Sequence, residues 1–62
     1  MYQLPKDPLM LMSFLNEKLR GRYASLDALC DDFQVDANDL IETLATIGYQ
    51  YDEQLNQFKS LT

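Results

Sequence analysis

Two short helical patterns separated by three residues are the strongest constraint on the fold of this chain. Apolar residues recur at helical spacing over residues 26–33 and again over 37–47. Ser25 and Asp36 stand just before the two patterns, where a helix needs a side-chain acceptor for its free amide groups. Since two short helices joined by a tight turn form a helix-turn-helix unit, we predict that residues 25–48 fold into one.

The residues of the connecting turn fit such a unit, with one exception. Cys30 is a small residue where the two helices would cross, and Val35 is an apolar residue that can fill the turn. Gln34 occupies a position that is commonly glycine, so we expect it to adopt a left-handed conformation at a cost of about 1 kcal/mol.

A further helix is predicted before this unit. Residues 1–6 are expected to form an extended lead-in and residues 7–22 the first helix. Asp7 can cap that helix, and Pro8 occupies its first position, where a missing amide is no loss. Gly21 is expected to end the helix in a left-handed conformation.

Beyond the third helix the apolar residues alternate, which is typical of a strand. Tyr49 and Tyr51 share one side, and Phe58 resumes an apolar side after a polar stretch. We therefore predict a hairpin over residues 49–60.

The whole chain, residues 1–62, is predicted to be one mainly helical domain with a small β-hairpin. Three helices followed by a two-stranded wing form a winged helix-turn-helix-like fold. The alternative is a three-helix bundle without a hairpin. The third helix is predicted to carry the apolar residues Leu40, Ile41, Leu44 and Ile47 and to bury its leucines. The predicted core consists of Leu11, Leu15, Leu19, Leu29, Val35, Leu40, Leu44 and Ile47.

Composition excludes most catalytic and metal chemistry. The chain has no histidine and one cysteine, so the usual zinc sites and the Cys-His and Ser-His catalytic pairs cannot be built. We expect no enzymatic activity, no cofactor and no small-molecule ligand. A single cysteine forms no internal disulfide, which favours a reducing, cytoplasmic location. The longest apolar run has four residues, against the roughly 20 that a membrane span needs, so no membrane contact is expected.

Charge divides the chain into a basic beginning and an acidic body. Between Tyr23 and Phe58 the sequence has eight acidic residues and no basic one, and the net charge of the chain is −5. Asp39 and Glu42 project from the helix that would read DNA, where they would meet phosphates. We therefore predict a protein–protein interaction module in which Asp39 and Glu42 face a partner. The alternative for the acidic residues is a solvated surface that keeps the protein soluble.

Leu9 and Met10 are a second candidate contact, because they lie on the first helix outside its apolar stripe. Left exposed, they would join Tyr2 and Leu4 in an apolar patch suited to a protein partner or to a homodimer. The alternative is that the lead-in folds back and covers them.

Lys18, Arg20 and Arg22 form a basic cluster at the end of the first helix. Three cations there also complement the helix dipole. They are the predicted contacts for the alternative function, a nucleic-acid-binding transcriptional regulator. Nucleic acid is the less favoured partner because the whole chain is negative.

The segments LPKDP, MLMSFLNEKLR, SLDALC and IGYQY resemble a small bacterial family, the domain-of-unknown-function family numbered 4250. The resemblance extends from Leu4 to Phe58. It implies a short cytoplasmic bacterial protein and assigns no catalytic or binding residues. It also implies roles in helix initiation for Pro5, Asp7 and Pro8, and places Asn56 and Phe58 in the hairpin.

Overall fold

The computed structural model describes residues 4–61 and contains three helices followed by a two-stranded antiparallel sheet. The elements are α1 (Pro8–Gly21), α2 (Leu26–Phe33), α3 (Ala37–Ala45), β1 (Tyr49–Asp52) and β2 (Gln57–Ser60). The predicted mainly helical fold with a C-terminal hairpin is therefore confirmed, and a bundle without a hairpin is excluded.

Each helix begins at the side chain that the sequence predicts as its cap. The Asp7 carboxylate accepts a hydrogen bond from the amide two residues on, at 2.9 Å. The Ser25 hydroxyl accepts one from the amide three residues on, at 3.1 Å, and the Asp36 carboxylate accepts one from the amide two residues on, at 2.9 Å. Because these bonds are local, the sequence around each cap is enough to predict them.

The end of α1 differs from the prediction. Gly21 is the last residue of the helix and does not have the left-handed conformation expected of it. The amides of Arg22 and Tyr23 both donate to the Lys18 carbonyl, at 3.0 and 3.3 Å. The helix end therefore finds hydrogen-bond partners without a left-handed residue.

Left-handed residues make the connections on either side of α3. Gln34 ends α2 with φ 58° and ψ 47°, as predicted for this turn. α3 ends at Ala45 instead of residue 47, and the following three-residue turn closes at Gly48 with φ 78°. Glycine adopts that conformation without strain, so the chain can turn there into β1.

The core draws on all three helices and on β2. Its buried side chains are Leu11, Leu15, Leu19, Leu26, Leu29, Cys30, Phe33, Leu40, Leu44 and Phe58. Val35 and Ile47, predicted in the core, are only half-buried because both lie in turns beyond a helix end. Ile41, an apolar residue of α3 outside the predicted core, is 38% exposed, since this helix packs along its Leu40–Leu44 stripe and Ile41 lies beside that stripe.

β2 is attached to α1 through the side chain of Asn16. The Asn16 side-chain oxygen accepts a hydrogen bond from the Phe58 amide at 2.7 Å, and its nitrogen donates to the Phe58 carbonyl at 3.0 Å. Gln57 adds a bond by donating from its side chain to the Asn16 carbonyl at 3.0 Å. Asn16 thus pairs with β2 as a neighbouring strand would.

Leu4, the first of the described residues, packs against the core. Leu4 is half-buried against the core cluster, which corrects its predicted place in an apolar surface. Partial burial of a leucine side chain is favourable by roughly 1 kcal/mol, which favours this position. Leu9 and Met10 remain 57% and 63% exposed, so the described part of the lead-in does not cover them. Tyr2 lies outside the described residues.

Candidate functional site

A groove of about 390 Å³ opens between the start of α2, the start of α3 and β1. Ile41 and Tyr51 contribute apolar surface to it, Leu26 lies buried at its wall, and Asp27 and Glu53 contribute exposed carboxylates. The groove is partly open to solvent, so a molecule bound there would stay partly exposed.

The groove exists because α2 and β1 do not pack directly against each other. No Cα atom of α2 lies within 8 Å of a Cα atom of β1. The Tyr51 side chain bridges the two elements: its hydroxyl oxygen accepts a hydrogen bond from the Leu26 amide at 3.2 Å and donates to the Asn56 side-chain oxygen at 2.5 Å. The hydroxyl is thus fully used within the protein, and the ring forms part of the groove wall.

Asn56 fixes the position of Tyr51 relative to the helices. Its side-chain nitrogen donates to the carbonyls of Leu19 and Tyr23, both at 2.9 Å. These carbonyls lie at the end of α1, where a helix leaves acceptors without intrahelical partners. One side chain therefore connects the hairpin turn, the end of α1 and the groove wall.

Carboxylates dominate the charge of the groove. Asp27 and Glu53 line it, Asp36 and Asp39 stand at the start of α3, and none of the described lining residues is basic. The N-termini of α2 and α3 each contribute about half a positive charge, which four carboxylates exceed. The same negative field acts on Cys30: burial raises the pKa of its thiol, and the carboxylates of Asp27 and Asp36 raise it further.

Most hydrogen-bonding groups in the groove already have partners inside the protein. The Ser25 hydroxyl caps α2, and the Tyr51 hydroxyl bridges to α2 and to the hairpin turn. Among the described lining residues, the Asn38 side chain, the carboxylates and the apolar surfaces are the groups that face solvent. The arrangement favours a ligand that brings an apolar side chain together with positive charge.

The structure places the predicted partner-binding residues outside this groove. Asp39 and Glu42 are exposed on α3, and Leu9 and Met10 are exposed on the first turn of α1. None of the four lines the groove, so the structure does not bring them into one site with it. Their predicted role in partner binding stays a prediction.

Sequence reasoning missed the residues that form the groove. Ile41 offered a signal, because it lies about 100° round the helix from Leu40 and therefore beside the buried stripe. Tyr51 offered none, since its bond to Leu26 joins residues 25 positions apart and depends on how the hairpin folds back.

The basic residues predicted for the alternative function differ in exposure. The Lys18 ammonium lies 5.3 Å from the centre of the Phe14 ring, and its side chain is 24% exposed. Arg20 and Arg22 are both exposed. Lys18 therefore interacts partly within α1, and the two arginines are the exposed cations at this end of the helix.

The described residues provide neither a metal site nor a membrane span. Among residues 4–61, no three histidine, cysteine, aspartate or glutamate side chains are grouped so that they could hold a metal ion. In the same part of the chain, no helix is long and apolar enough to cross a bilayer.

Comparison with known proteins points to a family without an assigned activity. A family model, described as a domain of unknown function (DUF4250), matches residues 5–58 of the 62-residue chain. The comparisons with curated proteins and with solved structures gave no match. The function has to be argued from the groove itself.

Proposed function

We propose that this chain, which belongs to the family described as domain of unknown function DUF4250, is a small protein-interaction module that binds a basic segment of a partner protein in the groove. The main support is the composition of the groove, where Leu26 and Ile41 lie beside the carboxylates of Asp27 and Glu53. An apolar side chain of the partner would fill the groove, and flanking lysine or arginine residues would pair with the carboxylates.

Charge complementarity selects this partner among the possible ones. The chain has a net charge of −5, and every charged residue between Tyr23 and Phe58 is acidic. A cationic protein segment is attracted to such a surface, whereas the phosphates of a nucleic acid are repelled. A second copy of the chain has the same negative charge and is also disfavoured.

We also assign the fold to the winged helix-turn-helix class. The left-handed Gln34 between α2 and α3, and the hairpin after α3, support this assignment. In proteins of this class that bind DNA, the second helix of the unit enters the major groove. Here that helix exposes Asp39 and Glu42, which favours protein binding over DNA binding.

The chain acts by binding and not by catalysis, and it works in the cytoplasm. In support, the sequence has no histidine, and the described residues of the groove include no pairing of a nucleophile with a base. Cys30 is a free and buried cysteine, which is the state expected in a reducing compartment.

Fluorescence anisotropy with a labelled peptide tests the proposed function. The probe is a short peptide with a central leucine flanked by lysines. We expect binding that weakens as salt is added, because charges are screened over about 10 Å at 0.1 M ionic strength. Asp27→Asn and Glu53→Gln should each weaken binding about two- to fivefold, the value of an exposed ion pair. Ile41→Ser should weaken it further by removing apolar contact.

Matched variants outside the groove are the controls. Glu42→Gln removes a negative charge from another part of the surface, and Leu55→Ser removes a side chain that is 60% exposed on the hairpin turn. These variants should affect binding less than the groove variants do. Equal losses from both sets would contradict binding in the groove.

A labelled DNA duplex tests the alternative function. We expect no measurable binding at near-physiological salt, since the groove and α3 are negative. Duplex binding that is abolished by replacing both Arg20 and Arg22 with glutamine would instead support a nucleic-acid-binding regulator.

A further inference from the structure

The outer edge of β1 has backbone groups that face away from β2. In an antiparallel pair, residues along each strand alternate between facing the partner strand and facing away from it. Phe58 exchanges its backbone hydrogen bonds with Asn16 of α1, so it faces away from β1. Tyr51 lies opposite Phe58 in the register, and its amide and carbonyl therefore face away from β2. The same alternation puts the amide and carbonyl of Tyr49 on the outer edge.

The last bond of the ladder agrees with this orientation. The Leu61 amide donates to the Gly48 carbonyl at 2.8 Å, so Leu61 faces the β1 side of the hairpin. Because the orientation alternates at every residue, Leu61, three positions beyond Phe58, should face β1 where Phe58 faces away from it. The bond to Gly48 shows that it does. Among residues 4–61 the sheet has two strands, and β1 has no strand on its outer side.

This open edge lies beside the groove. Tyr51 and Glu53 both line the groove, and no Cα atom of α2 lies within 8 Å of a Cα atom of β1. A strand added to β1 would lie about 4.8 Å from it. Every second side chain of that strand would point to the face on which the Tyr51 ring lies, toward Leu26 and Ile41. The side chains between them would point outward.

We infer that the partner's basic segment binds in an extended conformation, as a third strand on the outer edge of β1, with alternate apolar side chains in the groove. The inference rests on the proposed function and specifies how the groove is occupied. An extended segment satisfies the outward amides and carbonyls of Tyr49 and Tyr51, which a bound helix would leave unpaired. Negative charge at the neighbouring Glu53 favours a cationic segment over a second copy of this acidic chain.

Amide hydrogen exchange measured by NMR tests the inference on the unmodified protein. The probe is a peptide in which lysine and valine alternate. At saturating peptide, exchange at the outward amides of Tyr49 and Tyr51 should slow at least tenfold. The inward amide of Gln50 is the internal control, because it already faces β2 and should change little.

Backbone methylation of the peptide gives a second readout that does not alter the protein. An N-methyl group on the residue whose amide would donate to the Tyr51 carbonyl should weaken binding about tenfold, because that carbonyl is left unpaired. An N-methyl group on the next residue, whose amide would face solvent, should have little effect. Equal affinity of the two methylated peptides would overturn the inference.

The other outcomes separate this inference from the proposed function. Binding that depends on Asp27 and Glu53 but leaves Tyr49 and Tyr51 unprotected would overturn the added strand and leave the proposed function standing. A peptide that does not bind would overturn the proposed function itself. Protection at these two amides that rises with protein concentration alone would show a second copy on the edge, and would also overturn the inference.

Discussion

Asn56 and Gln34 share a left-handed backbone but differ in what their side chains do. Gln34, with φ 58°, is exposed in the turn between α2 and α3, and the turn itself predicts its conformation. Asn56, with φ 53°, donates to the Leu19 carbonyl 37 residues away and accepts from the Tyr51 hydroxyl. The sequence pattern indicates the conformation of Gln34 because the turn between α2 and α3 imposes it locally. The contacts of Asn56 depend on how the hairpin lies on α1, which no local pattern contains.

Asn56→Gly should therefore destabilise the protein even though glycine accepts a left-handed backbone freely. We expect a loss of about 2 kcal/mol in the free energy of unfolding, because the carbonyls at the end of α1 lose their donor. Gln34→Gly is the matched control, because it removes the strain of a left-handed backbone without removing side-chain hydrogen bonds to α1. It should raise the free energy of unfolding by about 0.5–1 kcal/mol. Urea unfolding measures both. If Asn56→Gly stabilised the protein as Gln34→Gly does, the structural role of the Asn56 side chain would be refuted.

Asp52 makes the hairpin turn sensitive to acid. Its carboxylate accepts hydrogen bonds from the amides of Leu55 and Gln54, at 3.2 and 2.9 Å, and lies 3.2 Å from the Lys59 ammonium. The Leu55 amide and then Lys59 are the main contacts that lower the pKa of Asp52 below its usual value. Because the unfolded pKa is about 3.9, the stabilisation is complete above that pH and is lost as pH falls through the lower folded pKa.

Asp52→Asn should flatten this part of the pH dependence. The amide oxygen can still accept from the turn amides, but the charge is gone, so the variant should lose less stability than the parent between about pH 6 and about pH 2.5. Urea unfolding at both values measures the difference. Asp31→Asn, which removes an exposed carboxylate from α2, is the matched control for the loss of one negative charge. If Asp52→Asn lost as much stability as the unsubstituted protein between the two pH values, the Asp52 carboxylate would not be the acid-sensitive group of the hairpin turn.

At the scale of helices and strands, the sequence indicates where each element lies better than how the elements pack. Capping residues and apolar periods gave the three helices, and the alternation after Gly48 gave the hairpin. The predicted left-handed conformation of Gly21 was wrong. The amides of Arg22 and Tyr23 donate to the Lys18 carbonyl, so the helix ends without a left-handed residue. The prediction that Ile47 belongs to the core was wrong because α3 ends at Ala45, which leaves Ile47 half-buried in the following turn.

Asn16→Ala tests how the hairpin is attached to α1. The change leaves the amide and carbonyl of Phe58 without their side-chain partners, and we expect a loss of about 2–3 kcal/mol in the free energy of unfolding. Amide exchange at Phe58 should become faster, while the amide of Lys59, which faces β1, should change less. Ser13→Ala, at an exposed position on α1, is the control. Unchanged exchange at Phe58 in the Asn16 variant would show that another contact holds β2 in place.

For the whole molecule, the sequence predicts the charge division but not the groove. The eight acidic residues of the body are visible in the sequence, whereas the groove needs α2, α3 and β1 in their folded positions. The exposed pair Leu9 and Met10 remains a candidate contact for a partner or a homodimer. Two side chains fall well short of the roughly 800 Å² per partner of a stable interface, and Leu4 does not extend the patch. The groove is therefore the better supported binding surface.

An NMR titration of the full chain with the lysine-flanked leucine peptide tests this central claim most directly, because it monitors every candidate surface at once. We predict the largest chemical-shift changes at the amides of Ile41, Tyr51 and Glu53, with little change at Met10 and Arg22. Changes centred on Met10 would place the binding surface at the start of α1, and changes centred on Arg22 would place it at the basic cluster. Either result would contradict the assignment of the groove as the binding site.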